Sequence, residues 1–198
     1  MLCIVKGFIH GVIVCLLGLY LLQERSWATH VMDRSLSELA ATADVVANAR
    51  IMTVHSRPST ANPKRYETVV RIRYHNVLWH DRSNQQPVEE TLILPGGVVG
   101  RYAQKVSGVP QFVVGQEVVL LLVRHPALGH LMPMGLSMGH YRVDRDSYKV
   151  PMAISDQRGL TRMKRMRNGR WEKSDQSGVI RTPLDQLWKA LQREVRSR

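Results

Sequence analysis

Cysteine is nearly absent from this chain of 198 residues: Cys3 and Cys15 are the only two, both within the first fifteen positions. That excludes a disulfide-stapled fold and a cysteine-based zinc site for everything beyond them. Acids are under-represented as well, 16 against 28 Lys plus Arg, leaving a formal net charge of +12. Two catalytic signatures are missing. The chain has no HExxH and no glycine loop followed by a lysine and a helix. An ordinary share of hydrophobic residues, 44%, with 22% charged, argues against wholesale disorder. The length suits one compact domain.

The opening residues, MLCIVKGFIHGVIVCLLGLYLLQERSWA, have three parts. Lys6 supplies early positive charge, Gly11 to Leu22 is an uncharged apolar run, and Ser26-Trp27-Ala28 puts small residues where a signal peptidase reads. This is the form of a secretory signal peptide cleaved after Ala28. The alternative is an uncleaved membrane anchor, but a spanning helix needs about 20 apolar residues and this run is shorter. Cleavage removes both cysteines, and the protein is then periplasmic or secreted.

Beyond Ala28 the pattern is mainly β. Ser35 and Glu38 have capping-box spacing and predict a short helix ending near Ala43. From Thr68 to Tyr74, apolar residues alternate with Val69, Arg71, Arg73 and His75, and the parity then reverses at Val77 and Trp79. That reversal predicts a long strand over 66–79 with a bulge near His75 or Asn76. Residues 57–65 and 81–90 read as polar loops. The run Val118-Val119-Leu120-Leu121-Leu122-Val123 predicts a strand buried on both faces. Six or seven short strands with few helices favour a small barrel or sandwich. At the C-terminus, Thr182 reads as an N-cap with Pro183 at the first helical position. Leu184, Leu187, Trp188, Leu191 and Val195 then share one helical face. The domain organisation expected is a signal peptide (1–28), a barrel (29–154), a basic loop or hairpin (155–181) and an amphipathic helix (182–198).

Several segments carry a resemblance. LSEL at 36–39, ADVV at 43–46, PGG at 95–97, VSGVPQFVVGQEVVLLL at 106–122, GLSMGHYRV at 135–143 and the PLDQLWKAL helix at 183–191 resemble a group of secreted bacterial β-barrel proteins. The resemblance implies an OB-like (netrin-like) barrel and, for some members, a neighbouring secreted metallopeptidase. Netrin-like inhibitors chelate a protease zinc with an N-terminal cysteine, and the mature chain has none to offer.

Two constellations are candidate sites. The first is basic: Arg71 and Arg73 (with His75) on one strand face, and Arg158, Arg162, Lys164, Arg165, Arg167, Arg170 and Lys173 in the tail. Residues 151–198 hold 12 Lys or Arg against 5 acids, a net of +7. In an exported protein nucleic acid is not the expected partner. Anionic lipid or an acidic polysaccharide is the available polyanion. The second is soft: His130, Met132, Met134, Met138 and His140 fall within eleven residues, and thioethers with imidazole suit Cu(I). Methionines alternating on a strand are equally an ordinary core filler. The remaining histidine spacings, 75/80 and 125/130, put neither pair on one face of an element. Ser137 has no marked base, and Asp144 and Asp146 read as a solvated turn. The expected function is therefore an exported, non-catalytic binding or accessory module without a cofactor, contacting anionic envelope surfaces. The alternatives are a regulator of a secreted metallopeptidase and a periplasmic Cu(I)-binding protein.

Overall fold

A computed structural model describes residues 29–80, 88–174 and 178–197. The segment read as a signal peptide, and most of the loop expected at 81–90, lie outside the described residues. About half of the chain is strand.

Five strands close a barrel: β2 (Val45–Pro58), β3 (Tyr66–His80), β4 (Glu89–Pro95), β7 (Glu117–Arg124) and β8 (Leu131–Pro133). Around the ring the order is β2-β3-β4-β8-β7 and back to β2. All neighbours are antiparallel except β4 and β8, which meet in parallel through Leu92 and Leu131. This is the OB-like architecture expected. A hairpin of β5 (Gly97–Val99) and β6 (Tyr102–Gln104) follows β4. Beyond β7 the same sheet continues through β9 (His140–Arg145), β10 (Pro151–Asp156) and β13 (Val179–Pro183). A separate three-stranded sheet joins β1 (Thr29–Met32), β11 (Leu160–Arg165) and β12 (Trp171–Lys173). Two α-helices, α1 (Leu36–Thr42) and α2 (Leu184–Arg196), and a 3₁₀ turn at Leu136–Gly139 complete the described elements.

The core is double. Inside the barrel, Val45, Ala47, Ile51, Val70, Ile72, Leu92, Val118, Leu120, Leu122 and their neighbours form one apolar cluster. On its outer side Val46, Val119 and Leu121 meet Leu39 and Ala40 of α1 and Leu187 and Leu191 of α2 in a second. Strand β7 thus has interior residues on both faces, and Val118 to Leu122 are completely buried. That is why its sequence is a continuous apolar run rather than an alternation.

Local signals correspond closely. Ser35 caps α1, its side chain accepting from the Glu38 N–H while the Glu38 carboxylate accepts from the Ser35 N–H. In the β2–β3 register Ala49 faces Tyr74 and Asn48 faces Asn76, leaving His75 as an extra residue at the place where the parity reverses. Val77 thereby joins Tyr74 against the barrel core. The start of α2 differs by one residue from the expectation. Thr182 remains in β13, paired with Ala153, so Pro183 takes the N-cap position and no side chain caps the helix. Sheet pairing holds Thr182 extended and overrides its capping preference. The apolar face of α2 is as expected: Leu187 and Leu191 are buried, and Leu184, Trp188 and Val195 pack against the same cluster.

Candidate functional site

The three-stranded sheet positions the basic tail. Strand β11 pairs in parallel with β1, so that Thr29 faces Leu160, His30 faces Thr161, Val31 faces Arg162 and Met32 faces Met163. It pairs antiparallel with β12, so that Met163 faces Lys173, Lys164 faces Glu172 and Arg165 faces Trp171. The turn between β11 and β12 has Gly169 at φ +79°, Met166 and Arg170 joined by N–H···O=C at 2.8 Å, and Asn168 accepting from the Arg170 N–H. Asn-Gly is suited to this turn because it tolerates positive φ at low cost.

Strand alternation divides the sheet into two faces. Val31, Leu160 and Arg162 point inward, where Leu160 joins the outer core and Val31 packs on it. Outward lie His30, Met32, Thr161, Met163, Arg165, Trp171 and Lys173. Of these, Met32 and Trp171 are about half exposed, at 50% and 49%. His30, Arg165 and Lys173 are also exposed. No acid occurs among these seven residues. In the adjoining turn Met166, Arg167 and Arg170 are exposed as well.

The nine cations singled out in the sequence separate into two groups. Lys164, Arg165, Arg167, Arg170 and Lys173 are exposed, and none forms an ion pair with another described residue. The other four are engaged. Arg73 lies 2.7 Å from the Glu89 carboxylate, and Arg71 lies 3.6 Å from it. Arg158 binds Asp156 at 2.6 Å, which holds the Asp156 carboxyl down at about 2 and raises the Arg158 guanidinium. His75 is exposed beside the Arg73 pair on β3.

Arg162 is a correction to the expected site. It is 4% exposed and forms an ion pair with Asp33. It also donates to the Arg34 carbonyl and to the Gln157 side-chain oxygen. Gln157 in turn donates to Ser155, and Ser155 to the Ser137 carbonyl. This buried polar chain ties the β1–α1 junction to β11, β10 and the 3₁₀ turn at Leu136–Gly139. The links from Arg162 to Asp33 and Arg34 span 129 and 128 positions, so no local pattern announces them. A buried charge persists only with such partners.

The soft-ligand residues lie in several environments, Met132 pairing with Val123 between β7 and β8. Met134 and Met138 are buried in the outer core with α1, and Thr42 donates to the Met134 sulfur at 3.4 Å. His140 lies against Phe112, ring centroids 4.9 Å apart, and Phe112 packs on the barrel core instead. Burial, with Arg142 nearby, pushes the His140 imidazole down to about 4. His130 sits elsewhere, at the β7–β8 turn, its ring 5.3 Å from that of His125. These two histidines meet across the turn rather than on one face of an element. The turn brings them together, with the His125 N–H donating to the His130 carbonyl. Partial burial and His125 lower the His130 imidazole from its usual value. Among the described residues no three His, Cys, Asp or Glu side chains form a metal-holding group.

Other chemistry is sparse in the described residues. Ser137 is buried and its hydroxyl has no hydrogen-bond partner, so nothing there activates it. Asp144 and Asp146 accept backbone N–H groups of their own turn. A cleft of about 470 Å³ beside the β5–β6 hairpin is walled by Val54, Leu94, Val106, Val109 and Phe112, with Lys105 its one titratable side chain. It offers apolar shape rather than acid–base chemistry. Among the glycines near it, Gly97 is at φ +149°, and a Cβ there would lie 2.5 Å from the Ser56 hydroxyl. Compared with protein-family models, curated proteins and solved structures, the chain matches none.

Proposed function

We propose that this protein is an exported, non-catalytic binding module that holds to anionic envelope surfaces through the β11–β12 hairpin. The supporting observation is the grouping of five exposed cations that have no ion-pair partner among the described residues, Lys164, Arg165, Arg167, Arg170 and Lys173, on one short hairpin. Cations already neutralised by a neighbour add little attraction, which sets Arg71, Arg73 and Arg158 apart. Export is supported by the tripartite N-terminal segment.

Each Lys or Arg near an anionic surface contributes about 1 kcal/mol, so the hairpin supplies enough for salt-sensitive attachment. The test is sedimentation of the chain from Thr29 with vesicles of zwitterionic and anionic phospholipid, and with an anionic polysaccharide, at low and high salt. Retention that collapses at high salt, and that falls when the five hairpin cations become Gln, supports the reading. Retention indifferent to salt, or lost equally in an Arg71→Gln/Arg73→Gln variant, refutes it.

A further inference from the structure

Resting on that reading, we infer that the anionic surface is a lipid bilayer, met by the outer face of the β1-β11-β12 sheet with Trp171 and Met32 immersed among the lipids. Polyanion binding by charge alone asks for no apolar side chains. Yet this face carries Met32, Met163 and Trp171 side by side, linked by the Met32–Met163 pairing and the hairpin register. Met32 and Trp171 are half exposed, and Met166 in the turn is 39% exposed. Around this apolar centre stand His30, Arg165 and Lys173, with Arg167 and Arg170 at the turn; the acids bordering it are Glu38, exposed on α1, and Asp33, which is paired with Arg162.

Such an arrangement matches the two zones of a bilayer surface. Cations meet lipid phosphates in the headgroup layer, while a tryptophan, apolar in body and polar at its indole N–H, settles at the boundary with the acyl chains. An acidic polysaccharide is hydrated on all sides and has no apolar layer to receive these side chains.

The surface depends on β1, a strand that carries one of the two half-exposed apolar residues. Strand β1 is held by its parallel pairing with β11, by the Asp33 N–H donating to the Met163 carbonyl, and by the Asp33–Arg162 ion pair immediately after it. Arg162 is thus a positioning residue for the face rather than a contact.

The experiment uses the chain from Thr29, with vesicles of three parts phosphatidylcholine to one part phosphatidylglycerol and, separately, a soluble anionic polysaccharide. Wild-type tryptophan emission is expected to shift to shorter wavelength on adding vesicles and to stay unchanged with the polysaccharide. In Trp171→Phe the shift is lost, which assigns it to this residue. Trp171→Ser, with an unaltered thermal midpoint, lowers vesicle partitioning about tenfold or more, the scale of one large apolar side chain. Arg165→Gln/Lys173→Gln lowers it about 25-fold, about five-fold for each cation. Vesicle binding without a blue shift, and equal in Trp171→Ser, overturns immersion while leaving electrostatic attachment standing. Tighter, Trp171-independent binding to the polysaccharide assigns the surface to that ligand and likewise overturns the bilayer. Absence of salt-sensitive binding to either polyanion overturns both readings.

Discussion

Acidification will destabilise this protein through His140. The ring is fully buried between β9 and the barrel, edge-on to Phe112, and its Nε2 has no hydrogen-bond partner. Burial, reinforced by Arg142, lowers the folded imidazole from 6.5 to about 4. Between those two values the unfolded chain holds the proton and the folded one does not. Stability is therefore fully present above about pH 6.5, declines as pH falls toward 4, and then levels off. The loss amounts to about 2 kcal/mol at pH 5 and about 3 kcal/mol below pH 4. His130 shifts in the same direction, and Asp156 begins to contribute only below its ordinary range, so the slope must be isolated by substitution. Urea unfolding of wild type and His140→Phe at pH 8, 6.5, 5 and 4 does this. The variant is expected to keep most of its pH 8 stability at pH 4, with the two curves converging or crossing. Parallel pH profiles would show that His140 does not titrate as its environment demands. An NMR titration placing its imidazole above 6 would be equally decisive against the argument.

Truncating Arg162 to Ala leaves the partly buried Asp33 without its cation and will cost about 3 kcal/mol in urea unfolding. Arg162→Met/Asp33→Leu, which removes both charges, will cost less than either single change if desolvation governs the pair. Leu191→Ala opens the zero-exposure contact of α2 with the outer core and will cost about 2–5 kcal/mol by the same assay. Gly97→Ala drives a Cβ into the Ser56 hydroxyl at a positive φ and will cost about 1–3 kcal/mol. A thermal midpoint unchanged by Gly97→Ala would mean that the β5–β6 hairpin adjusts freely. Ser35→Ala removes one arm of the α1 capping box and will cost about 1 kcal/mol, less than any of these.

Much of the fold could be read from local pattern. The β7 run announced a strand with interior on both sides, the parity break located the bulge at His75, and the C-terminal spacing gave the buried face of α2. The site was harder. Its outer face needs Met32 and His30, which reach it through a parallel pairing of β1 with residues more than 100 positions later. Nothing local marks such a partner. The methionine and histidine cluster was compact in sequence yet divided in space, because the 3₁₀ turn at Leu136–Gly139 sends Met134 and Met138 to one core and His140 to the other.

Composition and periodicity were sufficient for what depends on near neighbours: strand, helix, cap, bulge, and the concentration of positive charge in the last 48 residues. They could not say which of those charges remain free. Arg162 and Lys164 are two residues apart on one strand face, yet one is buried on Asp33 and the other is in solvent. The physical difference is desolvation. An arginine can be taken from water only where folding delivers a carboxylate and acceptors to meet it, and Asp33, Arg34 and Gln157 come together around Arg162 only in the folded chain.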